Sequence, residues 1–254
     1  MSIVVIKVGT GVLTCERDGT LDEGSLVKLV TAISELVQSG VPCVLVSSGA
    51  VGAGVSALGL SGYPDDTSTR QACAAVGQTR LMHAYESLFQ KFRLNVAQVL
   101  LTARDLASES GSNHVLTTLQ KLLSSGDIIP IINENDTVAV EELRVGDNDV
   151  LSASVASLLG ARLLVMLSTV DGLQGADGAV IQEVSNLSEV DGFARAEHGK
   201  FSIGGMASKL KAVSLAVESG VETVIANGRK PNDLGGIVTG DSIGTRFLKN
   251  PPVS

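Results

Sequence analysis

The sequence predicts an α/β fold built on a largely parallel sheet with helices on both faces, and three observations carry that reading. Short, continuously apolar runs rich in β-branched residues recur at residues 2–8, 41–47, 96–101, 128–132, 163–167 and 223–226. Helical periodicity followed by a glycine precedes four of them: residues 21–38 then Gly40, 115–125 then Gly126, 151–159 then Gly160, and 207–219 then Gly220. Most of the strands then open into polar, glycine- or asparagine-rich loops. Strands covered on both faces lose the alternation of a half-exposed sheet, and parallel neighbours need a crossover helix. Ligands of such sheets bind beyond the carboxyl ends of the strands, so these loops are expected to converge on one cleft.

Taken in order, the first strand ends in KVGTG, where Gly9, Thr10 and Gly11 read as a tight turn and Lys7 lies one residue inside the strand end. Residues 21–38 carry the apolar stripe Leu26, Leu29, Val30, Ile33, Val37 of an amphipathic helix, closed by Gly40. The second strand runs into SSGAVGAG at 47–54, read as a loop. Residues 69–92 form one long helix interrupted by Gly77, which is either a close contact with a neighbour or ligand, or a tolerated helical glycine. Residues 177–203 read as hairpins with a short helix. Nothing resembles an interdomain linker or a low-complexity tract, so one domain over residues 1–254 is expected.

Composition narrows the function. The chain has 254 residues, 44% of them apolar, enough to bury a substantial core without tryptophan. A net charge of -8 with no basic stripe argues against nucleic acid as a partner. Cys15, Cys43 and Cys73 lack metal or disulfide spacing and read as reduced thiols of a cytoplasmic protein. No apolar run approaches transmembrane length, so no membrane role is expected.

The chemistry gathers in residues 128–154, IIPIINENDTVAVEELRVGDNDVLSAS, where a buried strand precedes Asn133, Glu134, Asn135, Asp136, Asp147, Asn148 and Asp149. Taken alone, INEND and GDND are turns more often than sites, and GDND also fits the cap of the following helix. Their joint presence after a buried strand shifts the balance, because so many carboxylates and carboxamides are costly there without a ligand. Glycine-rich loops at strand ends suit phosphates. GxxxxGK[ST] is missing, however, and so are HRD and DFG. GAVGAG spaces its glycines GxxGxG, a weak signal for a nicotinamide dehydrogenase. Lys7 and Lys209 are the cations best placed to meet phosphates, although either alone also fits a solvated lysine. Asp171, in VDG, is a turn residue or faces a nucleotide, and His83, His114 and His198 have no triad or metal context.

KVGTGVLT at 7–14, SSGAVGAG at 47–54, QACAAVGQTRL at 71–81, INENDTV at 132–138, VGDNDVLSA at 145–153 and GGMASKLKA at 204–212 together resemble the glutamate 5-kinase branch of the amino acid kinase family, in its order and spacing. The match runs to about Leu248, and SSGA in place of a triple-glycine turn separates the chain from the acetylglutamate, uridylate and carbamate kinase branches. The resemblance implies the three-layer αβα sandwich of that family. It also implies transfer of phosphate from ATP to the side-chain carboxylate of L-glutamate, the first step of proline synthesis, with Mg2+ bridging the triphosphate.

Carried over by position, Lys7 and Lys209 would stabilise the phosphoryl oxygens and Asp149 would hold both lysines. Ser48, Asn133, Asp136, Asp147 and Asn148 would hold glutamate. The backbones of Gly9, Gly11, Gly49 and Gly205 would cradle phosphates, while Ser168, Thr169, Asp171, Gly172, Leu173, Ile203, Gly204 and Met206 would line the nucleotide. No protein metal ligand is implied, since Mg2+ keeps phosphate and water ligands. Proline as feedback inhibitor and a homo-oligomer, dimer or tetramer, are implied as well. The chain departs from the family where members commonly read TD at Ser168 and Thr169, GTGGM where it has SIGGM, and Tyr at Gln174. The PUA domain of many bacterial relatives is not expected here. Readings outside this branch are another carboxylate or carbamate kinase, and a silent glutamate or proline sensor. Retention of Lys7, Lys209 and Asp149 speaks against the sensor.

Overall fold

A computed structural model describes residues 2–15, 19–138, 148–175, 177–187, 190 and 205–249. Its elements run β1 (Val4–Val8), α1 (Thr10–Leu13), α2 (Glu23–Gln38), β2 (Cys43–Ser47), α3 (Ala50–Ala57), α4 (Thr67–Phe89), β3 (Asn95–Leu101), α5 (Ala103–Ala107), α6 (Glu109–Leu123), β4 (Ile128–Glu134), α7 (Asn148–Leu159), β5 (Leu163–Ser168), β6 (Glu183–Val184), α8 (Met206–Glu218), β7 (Glu222–Asn227), α9 (Leu234–Thr239) and β8 (Thr245–Phe247). The strands form one sheet in the order β3-β4-β2-β1-β5-β7-β8-β6. Pairing is parallel from β3 through β7, and β8 runs antiparallel to β7. The three-layer expectation therefore holds, with β1 at the centre.

The period of two along β1 sorts the layers. Val4, Ile6 and Val8 pack with Leu26, Leu29 and Ile33 of α2 and with Leu81, Tyr85 and Phe89 of α4. Val5 faces the other way, into the layer of Leu151 and Val155 from α7 and Val213 and Ala216 from α8. Lys7 shares the parity of Val5, and it is only 3% exposed. A lysine is thus driven into an apolar layer, which it tolerates because that layer holds a counter-charge.

Two segments read as turns or loops are helical. KVGTG breaks directly into α1, and most of SSGAVGAG is α3. Periodicity could not reveal α3, because it packs on α4 through glycines rather than through an apolar stripe. A Cβ at Gly54 would lie 1.9 Å from the Cys73 carbonyl oxygen, and one at Gly77 would lie 1.8 Å from that of Ala50. Gly77 is therefore a backbone contact between helices, the first of the two readings above. The strand β8 and the short helices α5 and α9 have no counterpart in the pattern of apolar runs. Of residues 177–203, the described part supplies β6, preceded by a bridge of Gln174 with Val180. No helix among the described residues is long and apolar enough to cross a membrane.

Candidate active site

The carboxyl ends of β1, β2, β4 and β5 open into one cleft of about 380 Å³. It is lined by Lys7, Gly9, Gly11, Ser48, Gly49, Asn133, Asp136, Asn148, Ser168, Thr169 and Lys209, all singled out in the sequence. Thr10, Val12, Ala50, Val51, Gly52, Tyr63 and Glu134 complete the lining and were missed. Glu134 was legible inside INEND. Tyr63 was not, since it sits on the exposed connection between α3 and α4, where no periodicity operates.

Asp149, on the first turn of α7, is fully buried beneath one wall. Its Oδ1 lies 2.5 Å from Lys7 Nζ and its Oδ2 accepts from Lys209 Nζ at 3.0 Å. Burial pushes the Asp149 carboxyl up, but the charges and hydrogen bonds of the two lysines outweigh it and hold the group below the ordinary carboxylate range. One buried carboxylate facing two buried ammoniums leaves the triad with net positive charge, an electrostatic receptor for an anion.

Another part of the lining is built from amides and a hydroxyl. Asn148 Nδ2 donates to the Ser48 hydroxyl at 2.8 Å, the Asn133 Oδ1 at 2.9 Å and the Ser47 carbonyl at 3.1 Å. Asn133 Nδ2 donates to Gln78 Oε1 at 2.9 Å. Tyr85 OH and Ser47 Oγ, both buried, meet at 2.8 Å. Gly49 holds φ at 103°, a left-handed conformation that side-chained residues resist, and this turn aims the first residues of α3 at the cleft. The N–H groups of Gly49, Ala50, Val51 and Gly52 have no backbone acceptor among the described residues, so the helix start offers donors and a positive dipole end to an anion.

Some sequence candidates do not offer the group expected of them, and others lie off the lining. The Gly9 N–H donates to the Leu167 carbonyl, so Gly9 contributes room beside Lys7 rather than an amide for phosphate. The Asp171 carboxylate accepts from Lys230 Nζ at 2.8 Å and Asn227 Nδ2 at 3.1 Å, an exposed arrangement outside the lining. Leu173 is core, its N–H donating to Thr245 Oγ1, and Gly172 precedes it off the lining. Gly205 and Met206 begin α8, which carries Lys209 into the cleft. Asp147, Ile203 and Gly204 lie outside the described residues.

The profile of the amino acid kinase family matches residues 2–227. The chain belongs to the amino acid kinase family. A glutamate 5-kinase of Acaryochloris marina is 43% identical over 98% of this chain and 69% of its own length. One from Geobacter sp. strain M21 is 45% identical over 96% and 67%. The chain thus spans about two thirds of these relatives. Among solved amino acid kinase folds, a carbamate kinase of Giardia superposes with a TM-score of 0.68 over 98% of this chain and 99% of that one. At 17% identity it shares the fold alone.

Proposed function

We propose that the protein transfers the γ-phosphoryl group of ATP to the side-chain carboxylate of L-glutamate, forming L-glutamyl 5-phosphate for proline synthesis. The observation that carries this reading is the Lys7–Asp149–Lys209 triad at a cleft also lined by an amide and hydroxyl network. The kinship with glutamate 5-kinases supports the choice of substrate.

The acceptor carboxylate is ionised at neutral pH, so no base is needed. One of its oxygens attacks the γ-phosphorus, the bond from that phosphorus to the β,γ-bridging oxygen breaks, and ADP leaves with the electron pair. Catalysis then reduces to alignment and charge neutralisation. Lys7 and Lys209 hold the transferred phosphoryl oxygens, and Asp149 keeps both ammoniums in place. Ser48, Asn133, Asp136, Asp147 and Asn148 hold glutamate, with the carboxylates and the Asn148 amide oxygen on its ammonium and the Ser48 hydroxyl and α3 start on its α-carboxylate, while Asn133 holds Asn148 in place. Gly11, Ser168, Thr169 and the start of α8 receive the nucleotide. The donor set fits Mg2+ delivered on the triphosphate, since both oxygens of Asp149 are already taken by ammoniums and this ion keeps phosphate and water ligands. When bound with the triphosphate, Mg2+ would supply charge neutralisation there, complementing Lys7 and Lys209.

The same reading makes residues 1–254 one kinase domain of a cytoplasmic homo-oligomer, with proline as inhibitor at the glutamate side. The deciding experiment is hydroxylamine trapping of the acyl phosphate. With ATP and Mg2+, glutamate should yield the hydroxamate, while aspartate and N-acetylglutamate should yield little. Equal trapping from all three would overturn the assignment.

A further inference from the structure

We propose that Gln78 is a positioning residue that sets how the cleft presents Asn148 to the amino acid; the inference rests on the reading above that Asn148 meets glutamate. An amide can face either way at nearly equal volume, and only its partners decide which. Gln78 Oε1 takes a hydrogen from Asn133 Nδ2 at 2.9 Å. That turns Asn133 Oδ1 toward two donors, the Glu134 N–H and Asn148 Nδ2, each at 2.9 Å. Flipped, Asn133 would set donor against donor at both. Asn148 Nδ2 is in turn committed to Asn133, Ser48 and the Ser47 carbonyl. Its Oδ1, shielded from solvent, has no hydrogen-bond partner among the described residues. A dry, unpaired acceptor is costly, and an ammonium N–H arriving in the cleft is the partner that relieves it.

The placement of Gln78 follows from α4. Gly77 lets the helix backbone touch Ala50, so the next side chain reaches Asn133 across the cleft floor. Tyr85, one heptad further along the same face, meets Ser47. One helix thereby braces both chains of contact behind the amino-acid side.

The test is steady-state kinetics of Gln78→Met, which keeps the shape and removes the acceptor, and of Gln78→Glu, which keeps an acceptor oxygen. Gln78→Met should raise the KM for glutamate about tenfold while the KM for ATP moves less than about twofold, as loss of a partly buried acceptor on one substrate's side requires. Gln78→Glu should recover most of that loss. In a double-mutant cycle, Gln78→Met should add little to Asn148→Ala. An unchanged glutamate KM in Gln78→Met, an equal rise in both KM values, or full additivity would each overturn the proposal. If Asn148→Ala alone leaves the glutamate KM unchanged, the underlying reading of Asn148 fails, and this route for Gln78 fails with it.

Discussion

At the scale of single residues, the cleft turns on three charges. Lys7 and Lys209 act as negative charge moves onto the bridging oxygen, so Lys7→Ala or Lys209→Ala should lower kcat by about 10²–10³-fold while the glutamate KM shifts by no more than about threefold. Initial rates at varied glutamate separate the two, and wild-type turnover in either variant would remove the role. Asp149 carries the folding side of the same arrangement. Its folded carboxyl lies below the ordinary value near 3.9, so the stability contributed by the ionised form is complete above about pH 4 and lost as pH falls through the folded value. Asp149→Asn leaves two buried ammoniums facing a neutral amide and should cost about 3–5 kcal/mol at pH 7. Urea unfolding between about pH 6 and about pH 3 should show the wild type losing stability with acid more steeply than the variant.

At the scale of elements, α4 organises the amino-acid side. It has almost no amphipathic pattern, yet it buries Cys73, Ala74, Gly77, Leu81, Tyr85 and Phe89 along one line. Its contact with α3 is backbone to backbone, which only glycine permits at that distance. Gly77→Ala would place a methyl 1.8 Å from the Ala50 carbonyl oxygen and 2.4 Å from the Gly54 nitrogen. We expect a loss of about 3 kcal/mol by denaturant unfolding. Because Ala50 lines the cleft, a raised glutamate KM should accompany it. Native stability with unchanged KM in that variant would show that the two helices move apart without consequence. The α3 helix itself illustrates why sequence patterns fall short here. Periodicity reports which side chains are buried, and α3 is held largely by atoms that are not side chains.

At the scale of the whole molecule, the parallel sheet gathers residues from distant parts of the chain. Lys7 lies one residue inside the end of the central strand β1, Asp149 is on the first turn of α7 and Lys209 sits one turn into α8, so the triad joins a strand to the two helices on one face of the sheet. Alternation along β1 sends Lys7 into that layer. The strands β1 to β5 and β7 and the helices α2, α4, α6, α7 and α8 were legible, because burial on two faces imposes continuous apolar runs and crossover helices impose a period near 3.6, whereas α1, α3 and α5 were not. The motifs singled out Lys7, Ser48, Asn133, Asp136, Asn148, Asp149 and Lys209 as candidates. Sequence alone left open whether Lys7 and Lys209 were solvated or paired, and it could not single out Gln78, whose role exists only through one hydrogen bond to a residue on another element. The family resemblance implied Asp171 and Leu173 near the nucleotide; in the folded chain Asp171 pairs with Lys230 and Leu173 packs into the core. The sequence by itself determined the sheet, its layers and the family to which the chemistry belongs, because those depend on local pattern and composition. The tertiary structure decided which charges neutralise one another and which amides face the cleft, because a hydrogen bond depends on distance and direction in space, to which spacing along the chain is blind.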